Sequence, residues 1–308
     1  MLVNTKTMLL AAQHGSYAVA QFNLNGFEWI KCLLALAEQK NIPIILGVSE
    51  KAAEYMCGYE TTAAMVREAY KAMHITVPVA LHADHSHYDS ACAAIEAGFT
   101  SVMYDGSSEP LEINLKCTEE IVKIAHARGI TVEAEMGAVA GKEDGISSEG
   151  ELASPADCRR LAGCGIDTLA AGIGNVHGAY PTDWSGLDFE RLALIRESVP
   201  ELPLALHGGS GIPDDMIRRA IVGGVAKINV NSECKDSFCS GIAAHMKSKE
   251  TAVSPFSLYK AGIDGIAKIA EAKLKLFGFD QRTTTDSAFV PQYFDYSRLG
   301  YEKQDCNE

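Results

Sequence analysis

The sequence alternates short apolar runs with longer segments of helical periodicity, and the alternation repeats eight times. The apolar runs cover residues 17–22, 43–48, 77–82, 101–104, 131–135, 168–171, 203–207 and 227–230. Runs of this kind predict buried strands, and the segments between them predict helices. Eight such units predict a parallel sheet closed into a (β/α)8 TIM barrel, an α/β fold. A doubly wound open sheet is the alternative that the pattern leaves open.

The excess of acidic over basic residues disfavours some classes of binding partner. The 308 residues include 27 Lys and Arg against 40 Asp and Glu, a formal net charge of −13. This charge repels nucleic-acid backbones and anionic membranes, so we expect neither as a partner. A small sugar phosphate remains a candidate because a few backbone N–H groups can bind one anion locally. Scattered cysteines without a Cys-x-x-Cys pair, and the lack of a long apolar stretch, predict a cytoplasmic protein.

Three histidines follow three different predicted strands. His85 comes after the third strand, His177 after the sixth and His207 at the end of the seventh. In a TIM barrel the carboxyl ends of all strands open at one mouth, where catalysis takes place. Three imidazoles around an open fourth position are typical of catalytic zinc. The sequence therefore predicts one catalytic Zn²⁺ bound by these side chains.

Two acidic residues are candidates for proton transfer. Asp84 stands between His82 and His85 at the end of the third strand, where a carboxylate beside a metal can move protons. Glu143 lies in the long glycine-flanked segment 137–150, which we interpret as a mobile lid. His82 is expected to orient the metal ligands from behind.

Two turns after the seventh and eighth strands predict a phosphate site. They are Gly208-Gly209-Ser210-Gly211 and Asn229-Val230-Asn231-Ser232, each followed by a helix. Backbone N–H groups at this position of a TIM barrel commonly bind phosphate. No Walker loop is present, and no Gly-x-Gly-x-x-Gly turn follows a strand, so no nucleotide cofactor is expected. Lys227 opens the eighth strand, away from the mouth, and is expected to be structural rather than a Schiff base.

Five segments together resemble the signature segments of class II, zinc-dependent fructose- and tagatose-bisphosphate aldolases. They are residues 82–85, 132–137, 174–178, 206–211 and 227–231, within a resemblance that spans Tyr17 to Phe277. The resemblance implies reversible cleavage of a ketose 1-phosphate or 1,6-bisphosphate, of the fructose 1,6-bisphosphate type, into dihydroxyacetone phosphate and an aldehyde. Zinc would stabilise the enediolate. Tagatose 1,6-bisphosphate, or a ketose 1-phosphate with an unphosphorylated aldehyde end, is the alternative substrate.

The resemblance also implies a role for each matching residue. The zinc ligands would be His85, His177 and His207, with Glu135 near an alternative metal position that could take a second divalent or monovalent cation. Asp84 would be the acid and base at the C4 hydroxyl, Glu143 would exchange the C3 proton of dihydroxyacetone phosphate, and Asn229 would steady the enediolate. The phosphate and the rest of the substrate would contact Gly178, Gly208, Gly209, Ser210, Asn231, Ser232, Asn23, Ser49 and Asp105.

Two features depart from the family pattern. Where members usually carry an arginine that reaches the second phosphate, this chain has Phe256. Losing a guanidinium removes directional phosphate recognition, so we hypothesise a ketose 1-phosphate whose far end is unphosphorylated or read differently. Asn231, in contrast, resembles the fructose type. An aromatic-rich extension, 279–308, follows a single barrel domain, 1–278, and we interpret it as packing against a neighbouring subunit or as a lid.

Two other classes of function stay open from the residues themselves. A barrel metal hydrolase would use the zinc to activate water, with Asp84 as the base. A non-catalytic sugar-phosphate binding protein would lack groups for proton transfer, and the presence of Asp84 and Glu143 disfavours it. We expect the protein to be a homodimer or a homotetramer.

Overall fold

Eight parallel strands close into a barrel at the centre of the molecule. The computed structural model describes residues 2–143, 146–248 and 254–279. The strands of the described chain are β1 (Val19–Asn23), β2 (Ile44–Ser49), β3 (Val79–Ser86), β4 (Ser101–Tyr104), β5 (Thr131–Met136), β6 (Ala140–Glu143), β7 (Ile146–Ser148), β8 (Thr168–Ala171), β9 (Val176–His177), β10 (Leu204–Leu206) and β11 (Val225–Val230). The barrel runs β1-β2-β3-β4-β5-β8-β10-β11 and closes from β11 to β1. The (β/α)8 prediction is confirmed, and the open sheet is excluded.

Helices cover the outside of the barrel. They are α1 (Lys6–Gly15), α2 (Phe27–Lys40), α3 (Glu50–Tyr55), α4 (Tyr59–Ala72), α5 (Tyr88–Ala97), α6 (Leu111–His126), α7 (Pro155–Ala162), α8 (Phe189–Ser198), α9 (Asp214–Val222), α10 (Ser232–Lys247) and α11 (Pro255–Leu274). Local capping residues fix several starts: the Ser154 side chain accepts a hydrogen bond from the Asp157 N–H, with Pro155 in the first turn. No helix of the described ranges is long and apolar enough to cross a membrane.

The inside of the barrel is polar near its carboxyl end. Four strands each carry two polar residues separated by one apolar residue, and all eight side chains are buried. The pairs are Gln21 and Asn23 in β1, His82 and Asp84 in β3, Glu133 and Glu135 in β5, and Lys227 and Asn229 in β11. Alternate residues of a strand point to the same face. Hydrogen bonds between strands that are not neighbours, Asn23 to Asp84 and Lys227 to Glu133, place that face inside the barrel.

The segment after β5, which we interpreted from the sequence as a mobile lid, contains strands that form a small sheet with β9. β6 and β7 pair as an antiparallel hairpin, and β6 pairs in parallel with β9, which aligns Gly141 with His177. A Cβ atom at Gly141 would lie 2.2 Å from the His177 carbonyl oxygen, so glycine is what allows this approach. This segment of small and polar residues therefore contains a β-hairpin. The hairpin pairs with β9, the strand that contains the predicted metal ligand His177.

Two sequence predictions lie beyond these elements. The described chain ends at Phe279, whose ring packs edge-on against Tyr17 at 5.0 Å between centroids. The predicted extension 279–308 therefore lies outside the described residues except for this first position. The division into a barrel, 1–278, and an extension stays a prediction.

Candidate metal centre and active site

Three histidines from separate elements converge at the carboxyl end of the barrel. His85 belongs to β3, His177 to β9, and His207 directly follows β10. One nitrogen of each ring lies within 4.8 Å of a nitrogen of the other two. His85 adopts a φ of 48°, a backbone conformation that is uncommon for residues other than glycine. The structure thus brings together the three ligands that the sequence predicted.

Carboxylates hold two of these rings from behind. The Asp105 Oδ2 atom lies 2.7 Å from His85 Nδ1, and the Glu133 Oε1 atom lies 2.8 Å from His207 Nε2. An ionised carboxylate only accepts hydrogen bonds, so each of these nitrogens carries a proton. The other two ring nitrogens, His85 Nε2 and His207 Nδ1, face each other at 2.7 Å, a hydrogen-bond distance that requires one proton between them. Once that proton is lost, their lone pairs are a good donor set for a cation, and the carboxylate–histidine pairs are typical of zinc sites.

The surroundings also set the charge on the histidines. Burial lowers the pKa of His177 well below its ordinary value, and burial with the nearby charge of His85 lowers the pKa of His207. Burial alone would lower the pKa of His85 too, but its hydrogen bond to Asp105 and the nearby acids raise that pKa well above the ordinary value. A cation would replace the proton shared between His85 and His207. The three residues fit a zinc ion by chemistry and by position.

Glu135 stands beside this centre. Its side chain is buried, its Oε1 atom accepts a hydrogen bond from the Val139 N–H at 3.2 Å, and its Oε2 atom has no hydrogen-bond partner among the described residues. Burial, assisted by the charge of Asp105, raises the pKa of Glu135 to about 8. Glu135, Asp105 and His85 form a second group whose ligand atoms lie within 4.8 Å of one another. This geometry suits the predicted alternative metal position.

Asp84 accepts hydrogen bonds from two side-chain amides inside the barrel mouth. The Asn23 Nδ2 atom donates to its Oδ2 atom at 2.8 Å, and the Asn229 Nδ2 atom donates to its Oδ1 atom at 3.2 Å. Burial alone would raise the pKa of Asp84, but its electrostatic interactions, first with His85 and then with neighbours that include Lys227, hold that pKa below the ordinary range. Asp84 is therefore an ionised carboxylate beside the metal centre, the state that a general base needs.

Two interpretations from the sequence are wrong in detail. His82 does not support a metal ligand: its Nδ1 atom pairs with Ser101 Oγ at 2.8 Å, and its Nε2 atom lies 4.0 Å from Asp84. Burial lowers the pKa of His82 to about 4, so it is a neutral neighbour of Asp84. Lys227 is not remote from the mouth, because its Nζ atom lies 2.9 Å from both Glu133 Oε1 and Asn229 Oδ1.

A cavity of about 500 Å³ opens above these residues. On the inner side it is lined by Asn23, Asp84, His85, Asp105, Glu135 and His177, and its outer wall includes Ser49, Glu50, Lys51, Glu54 and His87. Asn23, Ser49 and Asp105 thus line the cavity, as predicted for substrate contacts, although Asp105 also holds His85. The backbone of Glu143 belongs to β6, but its side chain lies outside what the structure describes. Phe256 is 84% exposed and is not part of the wall among the described residues.

The two glycine-rich turns, which follow β10 and β11, lie against each other next to His207. Gly208 has a φ of +69°, and a Cβ atom there would lie 2.2 Å from the Val176 carbonyl oxygen. The Gly209 N–H donates to the Asn229 carbonyl at 3.0 Å, and a Cβ atom on Gly209 would lie 2.6 Å from that oxygen. Close backbone packing therefore requires glycine at both positions. Ser210 and Asn231 are buried, and Ser232 begins α10.

Some residues of the site were missed in the sequence. The Tyr180 hydroxyl joins the two loops, donating to the Gly208 carbonyl at 2.9 Å and accepting from the Val176 N–H at 3.1 Å. Trp184 packs edge-on against Tyr180 and donates to the Gly174 carbonyl at 2.7 Å. Glu133 was also overlooked as a partner of His207. Its spacing of two from Glu135 is a signal that could have identified it as a residue of the barrel interior.

Comparison with known proteins adds the decisive observation. A model of the family described as class II fructose-bisphosphate aldolase matches residues 3–282. The chain belongs to the class II fructose-bisphosphate aldolase family. It is accordingly an enzyme of the carbon–carbon lyase class, and family membership decides against the hydrolase and the non-catalytic binding protein.

Individual relatives agree with this family. The chain is 43% identical over 286 residues to the fructose-bisphosphate aldolase of Streptococcus pneumoniae, covering 90% of this chain and 98% of that protein. It is 46% identical over 270 residues to the fructose-bisphosphate aldolase of Ureaplasma parvum, covering 86% and 93% respectively. Among solved structures, the YdjI aldolase from Escherichia coli K12 is similar with a TM-score of 0.79 and 29% identity, over 92% of this chain and all of that one.

Proposed function

We propose that this class II aldolase reversibly cleaves the C3–C4 bond of a ketose 1-phosphate or 1,6-bisphosphate, giving dihydroxyacetone phosphate and an aldehyde. The observation that carries the proposal is the position of an ionised carboxylate, Asp84, in the same cavity wall as the predicted zinc ligands His85 and His177. Cleavage of such a bond needs a base for the C4 hydroxyl and a cation to stabilise the charge left on the other fragment. The same cavity wall carries the base and two of the histidines that would hold the cation.

The chain's own residues supply the proton transfers. Asp84 takes the proton from the C4 hydroxyl in cleavage and returns it to the aldehyde oxygen in the reverse direction. The Asn23 and Asn229 amides hold its two oxygens in place. A bound Zn²⁺, held by the three histidines, would supply Lewis-acid stabilisation of negative charge on the substrate oxygens. Glu143, on the hairpin beside His177, exchanges the proton at C3. Lys227 makes two buried hydrogen bonds and is unsuited to forming a Schiff base.

We infer that the phosphate at C1 binds at the turns after β10 and β11. Gly208, Gly209, Ser210, Asn231 and Ser232 belong to these turns, and Gly178, with a φ of 82°, directly follows β9. These turns run close together and lead into helices α9 and α10, the arrangement in which helix N-termini bind anions. Two of their N–H groups already have partners, because Gly209 donates to the Asn229 carbonyl and Gly211 donates to the Glu233 carboxylate. This assignment gives the phosphate a site next to His207 and leaves the cavity for the sugar chain.

The far end of the substrate meets a wall of mixed charge. The outer part of the cavity is lined by Glu50, Lys51 and Glu54. Among the described residues of the wall, Lys51 is the one lysine, and there is no arginine. The Glu50 carboxylate accepts a hydrogen bond from the His87 N–H at 2.8 Å, so it is fixed in place. This wall favours a hydroxyl-bearing or weakly anionic end over a second phosphate. The arrangement supports the hypothesis, drawn from Phe256, of a ketose 1-phosphate.

A coupled assay of dihydroxyacetone phosphate release tests the function. Fructose and tagatose 1,6-bisphosphates are compared with the corresponding 1-phosphates, using the wild-type enzyme and Asp84→Asn. We expect release from at least one substrate, with kcat lowered about 10²- to 10⁴-fold in Asp84→Asn. Absence of release from all of them would refute the aldolase proposal. A kcat/KM for fructose 1,6-bisphosphate at least equal to that for every 1-phosphate would refute only the far-end hypothesis.

We also propose that the enzyme is a homodimer or homotetramer. Phe256 and Met246 are 84% and 62% exposed in the single chain, and both are large apolar side chains that oligomerisation can cover. Light scattering after size exclusion gives the mass directly, and a 33 kDa species at all concentrations would contradict this proposal. The cytoplasmic location stays a prediction from the sequence.

A further inference from the structure

Lys227 is a fully buried cation that the proposed reaction does not use. Its side chain is 0% exposed and lies inside the barrel, below the metal centre. A lysine at such a position is costly unless an acid and further acceptors surround it. Its ammonium group meets two acceptors, Glu133 Oε1 and Asn229 Oδ1, each at 2.9 Å. Both acceptors are in direct contact with residues of the active site.

The first contact bears on a metal ligand. Glu133 Oε1 accepts hydrogen bonds from Lys227 Nζ and from His207 Nε2. An ammonium group only donates, so Lys227 holds Oε1 as an acceptor directly against His207 Nε2. His207 therefore donates from Nε2 and keeps the lone pair of Nδ1 for the metal. Without Lys227, the described contacts leave His207 as the remaining hydrogen-bond partner of that oxygen, so the carboxyl group could turn away and the ring could place its proton on the metal side.

The second contact bears on the residue that holds the general base. An ammonium group only donates hydrogen bonds, so it binds the oxygen of the Asn229 amide. The amide nitrogen then points to the opposite side, where it donates to Asp84 Oδ1 at 3.2 Å. If the amide turned over, its oxygen would face the Asp84 carboxylate and repel it. One cation thus fixes the orientation of this amide as well as the tautomer of His207.

We propose, on the basis of the proposed function, that Lys227 is a positioning residue that sets the tautomer of His207 and the amide orientation of Asn229 at the same time. It touches neither the substrate nor the metal. Its effect reaches the metal centre through Glu133 and the acid–base residue through Asn229. The alternative is that the Lys227–Glu133 pair serves only to stabilise the barrel.

Zinc affinity separates the two interpretations. Lys227→Met keeps the length of the side chain and removes the charge, and Lys116→Met on the exposed side of α6 is the matched control. We expect Lys227→Met to weaken zinc binding about 10- to 100-fold, measured by competition with a chromophoric chelator. We also expect a changed visible spectrum of the Co²⁺ form, and a kcat about tenfold or more lower at saturating zinc. Wild-type zinc affinity together with wild-type kcat at saturating zinc, in a variant with a lower Tm, would overturn the proposal.

A double variant controls for the stability that is lost when the buried Glu133 charge has no partner. Lys227→Met with Glu133→Gln removes both buried charges, which restores much of the stability that the single change loses. We expect this double variant to bind zinc weakly even so, because a glutamine can present either its oxygen or its NH₂ group to His207. Wild-type zinc affinity in the folded double variant would show a purely structural pair.

The wild-type enzyme offers a test that needs no variant of Lys227 or Glu133. ¹⁵N–¹H correlation of the imidazole nitrogens, with His207 assigned by its loss in His207→Ala, should show the proton on Nε2 in the zinc-loaded protein. A proton on Nδ1 would overturn the proposal. Zinc affinity and the tautomer of His207 are both measured without substrate. A failure of the aldolase proposal would therefore not change these results, and it can be distinguished from a failure of the Lys227 proposal.

Discussion

Asp105 should set the strength of metal binding through His85. Its Oδ2 atom lies 2.7 Å from His85 Nδ1, and the pKa of Asp105 stays below its ordinary value because this hydrogen bond and those from Ser107 outweigh burial. The bond is therefore charge-assisted, and such bonds contribute about 1.5–3 kcal/mol. Asp105→Asn keeps an acceptor of the same size, and a neutral hydrogen bond contributes about 0.5–1.5 kcal/mol. Asp105→Leu removes the bond altogether.

The difference between these bonds gives the expected effect on the zinc dissociation constant. Asp105→Asn should lose about 1–1.5 kcal/mol, which is about a 5- to 12-fold weaker affinity. Asp105→Leu should lose about 1.5–3 kcal/mol, about 12- to 150-fold. The assay is chelator competition at neutral pH on the folded variants, with exposed Asp214→Asn on α9 as the control. Equal zinc affinities for wild type and Asp105→Leu would refute the reasoning that a carboxylate fixes the His85 ring for the metal.

Three further predictions concern the ligands, the hairpin and the pH dependence of stability. His207→Ala should lose both zinc and activity, and a metal-free variant with full activity would disprove the metal assignment. Glu143→Gln should keep its zinc but abolish exchange of the C3 proton of dihydroxyacetone phosphate, and normal exchange would remove the role given to Glu143. Asp167 is buried, and hydrogen bonds from His126 and the Val132 N–H lower its pKa despite that burial. Its contribution, about 1–3 kcal/mol, is thus present above the unfolded pKa near 4 and is lost as pH falls through the lower folded value. Asp167→Asn should therefore be less stable than wild type at pH 7, and the gap in urea unfolding should narrow below about pH 4. A gap that is constant with pH would contradict this account.

The barrel could be predicted from the sequence because each strand is buried on both sides. Apolar runs such as those in β2 and β8 are stable only when both faces of the strand are buried. Each predicted run overlaps a strand of the barrel. The metal centre could be predicted from the positions of His85 and His207 at the ends of their strands, because all strands of a barrel end at one mouth.

Other parts of the site depend on contacts between strands that lie far apart in the chain. Lys227 and Glu133 are 94 residues apart, and nothing local shows that their side chains meet inside the barrel. Their spacing of two from Asn229 and Glu135 marks a shared face, but only the closure of the sheet makes that face the interior. The hairpin after β5 was missed for a similar reason, because its strand character depends on pairing with β9.

The central claim is that carbon–carbon cleavage here depends on a metal held by His85, His177 and His207. The most direct measurement is dihydroxyacetone phosphate release by the wild-type enzyme after chelation and again after stoichiometric Zn²⁺ is returned, with metal content determined on the same samples. The account predicts that release is lost with the metal and recovers in proportion to the zinc bound, up to one ion per chain at the three histidines. Undiminished release from metal-free protein would contradict it.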